Sequence, residues 1–438
     1  MKYSGRISKK IIFYILFCCI FLFCGCSFRP AKFIDTSLLP TEERVILNQK
    51  VFDKVWNLVN DKYYDPTFNG KDWVALGEKY RADALAAKDN KALYRTINKM
   101  LGELGGSHLR ASMTGRFEDM YKDYVEPIST GFMWQAYEGK AVVTQVFPES
   151  LAEKAGVQRG WILDKIKGTP PIDGKLDTAT NAPTFRVPIL DIGKPESYIF
   201  IDQDEKERLI TLSPEKEDKT LLRWTIDDKD IHYEPVLSRI LPEGYLYLLL
   251  KNFVSFKVSG SIKTKINTEE GTQGLILDLR YNNGGMEFLL KSVLKRFFQD
   301  DINIGTRTFR SGKIREQKIS GKKSGYTKPV VILIGENTFS AAEIFAHVMQ
   351  HYQRGIVVGN KTKGYVQISR KYNLPGGGII NIPEINYTGL DGMLIEGRGV
   401  TPDIIVPEPD LATARAGRDL DLGAALIKLN AMNAGEKR

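Results

Sequence analysis

Four short aliphatic runs in the second half of the chain constrain its fold more than any other feature: "YLYLLL" at 245–250, "GLILDLR" at 274–280, "PVVILIG" at 329–335 and "GIVVGN" at 355–360. None alternates apolar with polar residues, so each reads as a strand buried on both faces. Between them stand segments of helical period, such as "AAEIFAHVMQHY" at 341–352, with apolar groups at helix spacing. Such alternation implies parallel strands joined by crossover helices, because a tight turn cannot join a parallel pair. Residues 216–410 are therefore expected to form an α/β core, followed by a helical segment over 411–438.

The preceding part of the chain divides by period. Segments "ERVILNQKVFDKVWNLVNDKYY" and "DWVALGEKYRADALAAKDNKALYRTINKMLGEL" carry apolar residues at helical spacing with few breakers, so 45–125 is expected to be a small helical domain. Over 126–215 the pattern changes to short strands, "KAVVTQVF", "ESYIFID" and "ERLITLS", separated by Gly, Pro and Asp turns. With 438 residues and 42% apolar content, two or three such domains can each hold a proper core. The fold class expected is multidomain α+β.

The formal charge is +9, but Lys2, Arg6, Lys9 and Lys10 lie in the first ten residues without an acid near them, and setting these four aside lowers it to +5. So mild an excess argues against a nucleic-acid partner. These residues precede "IIFYILFCCIFLFCGC", which is placed as the apolar region of a secretory signal would be and is too short to span a membrane comfortably. All four cysteines, Cys18, Cys19, Cys24 and Cys26, fall within it, which excludes a disulfide framework or thiolate metal site downstream. "FCGC" at 23–26 resembles a bacterial lipobox, with Phe23 where leucine is usual. The resemblance implies a lipoprotein signal peptide over 1–25, lipidation at Cys26, a tether over 26–44 and anchoring at the cell envelope, with Ser27 pointing to an outer membrane. A plain signal peptide cut near Gly25 and an uncleaved anchor are the alternatives.

Ser340, in "IGENTFSAAEIFAHVMQHY", falls where a buried strand gives way to a helix, the place where α/β sheets present functional groups. Unpaired N–H groups in a first helical turn can stabilise a developing oxyanion. Ser is also a favoured N-cap, and Glu343 three residues on completes a capping-box pattern, so a structural cap is the competing reading. A second feature is "GLILDLRYNNGGM", where a buried strand runs into Gly284-Gly285 and can bring backbone N–H groups close to a ligand.

Together, "DLRYNNGG" and "NTFSAAEIFA" resemble the tail-specific, or C-terminal processing, serine protease family. The resemblance implies a ClpP/crotonase-like α/β core, Ser340 as nucleophile, and an oxyanion hole from the N–H groups of Gly285 and Ala341 with Gly284 as neighbour. It also implies protein or peptide substrates with exposed tails and no cofactor. "STGFMW" followed by "VVTQVFPESLAEKAGVQRGWILDKIKG" is similar to the PDZ domain inserted in these proteases, with Leu151 in place of a Pro and Trp161 in place of an Asp. A PDZ domain adds an extended tail to a sheet edge, and Thr130, Gly131 and Phe132 would frame the terminal carboxylate. The segment after it, "TPPIDGKLDTATNAPTFRVPILDIG", is longer than such a domain needs and is expected to form an extra flap.

The family offers two kinds of base. One branch uses a lysine in "T-F-G-K-G-x-x-Q"; this chain has "GNKTKGYVQ", two residues shorter, making Lys363 the nearest equivalent and the alternative base. A second branch, similar to the tricorn core protease, uses a histidine in "L-x-D-x-H" and a glutamate before "G-V-x-P-D". Here "LGELGGSHLRAS" supplies His108, with Gly106 where the acid is common, and "LIEGRGVTPD" supplies Glu396. Neutral imidazole can take the serine proton while a carboxylate orients the ring, so His108, Ser340 and Glu396 form the expected triad. Glu343, His347 and His351 share a helix face, but the glutamate does not lie between the histidines as a zinc protease requires, and no metal is expected. His232 follows a solvated charge run and has no expected catalytic part. The competing class is a binding or adaptor protein that kept this architecture without turnover.

Overall fold

The computed structural model describes residues 33–113, 131–176, 183–185, 195–213 and 235–436. Its first element group is the set of helices Thr41–Lys62, Trp73–Leu85 and Asn90–Gly102. The latter two are capped by Asp72 and Asp89, whose carboxylates accept from the Ala75 and Ala92 amides. Their apolar stripes meet in a core of Val51, Phe52, Val55, Val59, Leu93 and Ile97, and Trp56 stacks on Trp73. Leu374, Ile380 and Ile382 belong to the same core. The helices thus share their interior with a sheet from much later in the chain, and strand β1 (Arg110–Ser112) pairs directly with it.

The middle part is a five-stranded antiparallel sheet built from β2 (Phe132–Tyr137), β3 (Lys140–Val146), β4 (Ile162–Ile166), β7 (Glu196–Ile201) and β8 (Glu207–Leu212), in the order β2-β3-β4-β7-β8. A separate two-stranded pair, β5 (Ile172–Leu176) and β6 (Pro183–Phe185), lies in the expected flap. Trp161, unusual in its motif, is buried: its indole packs on Phe200 and its Nε1 donates to Gln203 Oε1 at 3.0 Å. Its apolar body fills the core while its one polar atom is satisfied.

The core sheet comprises β9 (Val236–Ile240), β10 (Leu246–Leu250), β11 (Leu275–Asp278), β14 (Val330–Ile334), β15 (Ile356–Gly359) and β18 (Ile404–Ile405), in the order β18-β15-β14-β11-β10-β9. The four aliphatic runs are four neighbouring parallel strands; only β9 is antiparallel. One face, bearing Leu246, Leu248, Leu277 and Ile332, packs against Val258, Ile262, Leu290, Val293, Phe345 and Val348 of helices Val258–Thr268, Glu287–Leu294 and Ala341–His351. The other, with Tyr247, Leu249, Ile276, Val331 and Leu333, is covered by Ala425 and Leu429 of the C-terminal helix Leu420–Glu436 and by Phe147. Because successive side chains point to opposite faces, burial on both sides demands the unbroken apolar runs seen in the sequence. A second sheet, of β1, β12 (Ile302–Phe309), β13 (Ile314–Ile319), β16 (Ile368–Asn373) and β17 (Ile379–Thr388), is antiparallel throughout. Among the described residues no helix is long and apolar enough to cross a membrane.

Candidate active site

Strand β14 delivers the chain to Ser340, which precedes helix Ala341–His351 with φ +56° and ψ −120°. A non-glycine residue rarely holds such a backbone, and strain of this kind persists only where its surroundings impose it. Here the imposing group is Glu343. Its carboxylate, fully buried, accepts from the Ser340 amide at 2.9 Å, from Thr362 Oγ1 at 2.6 Å, and from the Gly364 and Tyr365 amides at 2.7 and 2.8 Å. Burial still pushes its pKa up, against the opposing pull of these donors. The side chain read in the sequence as a cap partner therefore also fastens the 362–365 loop to the serine.

The glycine turn after β11 lies directly against Ser340. Asn282 builds it: its Oδ1 accepts from the Gly284 amide at 2.9 Å, its carbonyl accepts from the Phe339 amide at 2.9 Å, and its Nδ2 donates to the Leu250 carbonyl at 3.0 Å. Gly284 has φ +82°, and a Cβ placed there would stand 2.7 Å from Ser340 Cβ and 2.8 Å from the Ala341 nitrogen. Gly285, with φ +141°, is packed as closely on the Phe253 backbone, which donates to the Gly284 carbonyl and accepts from the Met286 amide, both at 2.8 Å. With the Gly284 N–H engaged by Asn282, the amides of Gly285 and Ala341 are the two of the three expected donors that enter no hydrogen bond among the described residues.

His108 lies between the helices and β1, its carbonyl accepting from Asn381 Nδ2 at 2.8 Å. Burial pushes its imidazole pKa down to about 4, so the ring is neutral at pH 7. Nδ1 is 2.7 Å from Ser107 Oγ, and the Ser107 amide donates to Glu396 Oε1 at 3.1 Å. Glu396 Oε2 accepts from the Val366 and Gln367 amides at 2.8 and 3.2 Å. Ser107 thus stands between the carboxylate and the ring, and among the described residues no hydrogen bond joins His108 to Ser340 or to Glu396. Gly106 has little room for the acid common at its position, since a Cβ would lie 3.0 Å from Gln367 Oε1 and 3.3 Å from Tyr63 Oη.

Lys363 lies 3.8 Å from Glu336 in a pair with both side chains largely in solvent. A lysine base would have to reach the serine hydroxyl. The metal stripe does not converge: Glu343 turns inward, whereas His347 Nε2 accepts from the Leu390 amide at 2.9 Å. Among the described residues no group of His, Cys, Asp or Glu is placed to hold a metal. In the middle sheet Gly131 has φ +84° and a carbonyl that accepts from Ser150 Oγ at 3.1 Å, and the Phe132 side chain is buried edge-on against Tyr198 and Phe200. The β2 strand that Phe132 begins is a sheet edge. Thr130, His232, Cys26 and the whole signal-like segment lie outside the described residues.

Sequence reasoning missed Ser107, although it carried a signal, a hydroxyl adjacent to the candidate base. Glu343 was noticed as the cap partner, which it is, but not as the anchor of the 362–365 loop.

Residues 244–406 match the family model of peptidase family S41, and residues 48–102 match the tricorn protease C1 domain. The chain is 26% identical over 371 residues to a probable CtpA-like serine protease of Staphylococcus epidermidis, covering 83% of this chain and 66% of the relative. It therefore spans about two thirds of that relative's length. It is 27% identical over 401 residues to the carboxyl-terminal-processing protease of Synechocystis sp., covering 88% of this chain and 86% of the relative. Among solved structures, the photosystem II D1 C-terminal processing protease has a TM-score of 0.53 at 21% identity, covering 85% of this chain and 98% of that one. The tricorn protease has a TM-score of 0.51 at 18% identity, covering 90% and 37%. These structures share the fold. The family expected from the serine and glycine-turn motifs is the one that matches.

Proposed function

We propose that this chain, whose residues 244–406 match peptidase family S41, is a serine endopeptidase that takes unstructured or C-terminal protein segments and hydrolyses their peptide bonds through an acyl-enzyme. The observation that carries this reading is the seating of the Gly284–Gly285 turn against Ser340 and the first amide of its helix. In the proposed reaction Ser340 Oγ adds to the carbonyl carbon as His108 Nε2 takes its proton, and the amides of Gly285 and Ala341 hold the oxyanion. The C–N bond then breaks, His108 returns the proton to the leaving amine, and water repeats the sequence on the ester. Nε2 can act as base in the tautomer whose Nδ1–H donates to Ser107 Oγ. Glu396, acting across Ser107, stabilises the imidazolium that forms. No metal or organic cofactor enters this scheme.

The middle sheet is read as a PDZ-like module, supported by its motif, its edge strand β2 and the bent Gly131 before it. The lipobox-like "FCGC" supports export and anchoring through Cys26 at the cell envelope. A serine-directed fluorophosphonate should label the wild-type protein and fail to label Ser340→Ala. Tail binding with no labelling of either protein would instead identify an adaptor.

A further inference from the structure

Resting on the peptidase reading, we propose that Phe256 and Phe288 form a platform that receives an apolar side chain of the bound substrate, close to the bond being cut. Both are large apolar groups left in water, 75% and 51% exposed, yet they lie together with ring centroids 5.5 Å apart. Elsewhere helix Glu287–Leu294 buries its apolar groups, Leu289, Leu290, Val293 and Leu294, in the core. Phe288 faces outward from it. Phe256, in the turn before helix Val258–Thr268, meets it there, and paired aromatic rings left in water are a candidate contact surface.

Its position selects the occupant. Phe253 and Gly285 are bridged backbone to backbone, and this bridge fixes the turn that carries the Gly285 amide. Phe256 follows Phe253 by three residues, and Phe288 follows Gly285 by three. Three residues reach at most about 11 Å, and an extended peptide advances about 3.3 Å per residue. The pair thus lies within the reach of three or four substrate residues from the Gly285 amide, and a substrate whose carbonyl oxygen meets that amide and whose chain runs toward Phe256 and Phe288 passes them close to its scissile bond. An aliphatic or aromatic side chain there would cover both rings, whereas a small polar one would leave them in water.

The test walks a single Leu through a polar, unstructured peptide from the fourth residue before the cleaved bond to the fourth after it, each Leu peptide paired with its Ser counterpart. Two ratios are read: kcat/KM in the wild type and in Phe256→Ser/Phe288→Ser, and Kd in the Ser340→Ala background with and without the same two changes. Melting temperatures check that the double variant is folded. The expected result is a Leu-over-Ser preference of about tenfold or more at one position, lost in the double variant by both measures. Equal losses on Leu and Ser peptides, a preference untouched by the double variant, or a double variant that converts a dimer to a monomer would each overturn the platform. Leu-selective binding without cleavage would overturn the peptidase reading and leave the platform standing.

Discussion

Replacing Gly284 by Ala tests the construction of the site most directly. A Cβ at this position meets the Phe339 carbonyl oxygen at 2.7 Å, Ser340 Cβ at 2.7 Å and the Ala341 nitrogen at 2.8 Å. Two of these are backbone atoms and cannot swing aside, so the turn and the helix start must separate by several tenths of an ångström. The left-handed backbone, φ +82°, adds about 1–2 kcal/mol of strain for any residue with a Cβ. Gly139 provides the comparison: its φ is +78°, but a Cβ there meets nothing within 4 Å, so Gly139→Ala carries the strain alone. The difference between the two variants isolates the clash. Since loss of one oxyanion donor costs about 10²–10³ in kcat, Gly284→Ala should fall by roughly a hundredfold or more in peptide hydrolysis while remaining folded by circular dichroism. Gly139→Ala should lose a similar first increment of stability and little rate. If Gly284→Ala hydrolyses peptide within threefold of wild type, the turn does not supply the oxyanion site and the proposed mechanism fails.

Because burial holds the His108 imidazole near pKa 4, kcat/KM should stay level as pH falls through 6.5 and decline only toward pH 4, where the base becomes protonated. The same shift links to stability: the folded pKa lies below the unfolded value, so the contribution is complete above pH 6.5 and is lost as pH falls toward 4. About 3 kcal/mol should disappear across that window in urea titrations, and His108→Gln should remove this part of the pH dependence. Ser107→Ala should lower kcat by roughly tenfold or more with KM little changed, since it removes the hydroxyl at Nδ1 and leaves the ring free to misalign. Arg280, buried against Asp278, Asp419 and Asp421, should be costly to remove: Arg280→Met leaves uncompensated carboxylates and should destabilise by about 3–5 kcal/mol in denaturant unfolding.

What could be read in the sequence, and what could not, follows from where each segment finds its partners. β10, β11, β14 and β15 were legible because strands buried on both faces leave no polar alternation, so composition alone reveals them. The second sheet was not, because strands such as β13, "IREQKI", and β16, "ISRKYN", are half-exposed and polar, with no local signal separating them from loops. Its importance to the candidate site is nonetheless large, for β17 pairs with β1 and Asn381 holds the His108 carbonyl. Trp161 looked like a break in its motif, yet Gln203, forty-two residues on, satisfies it. Such long-range partners cannot be recovered from local pattern.

Ser340 draws these strands of argument together. Read locally, it was either a cap or a nucleophile, and the pairing with Glu343 favoured the cap. In the fold that pairing has a second consequence: the Glu343 carboxylate grips the Ser340 amide and three donors from the 362–365 loop, which leads on to the Val366 and Gln367 amides bound to Glu396. Capping chemistry is thus the means by which the loop, the glutamate of the proposed relay and the strained serine backbone are held in one frame. A cap that engages four donors instead of one constrains orientation far more than helix stability requires. The two readings of the serine are therefore not rivals: the cap partner builds the geometry in which the hydroxyl is proposed to react.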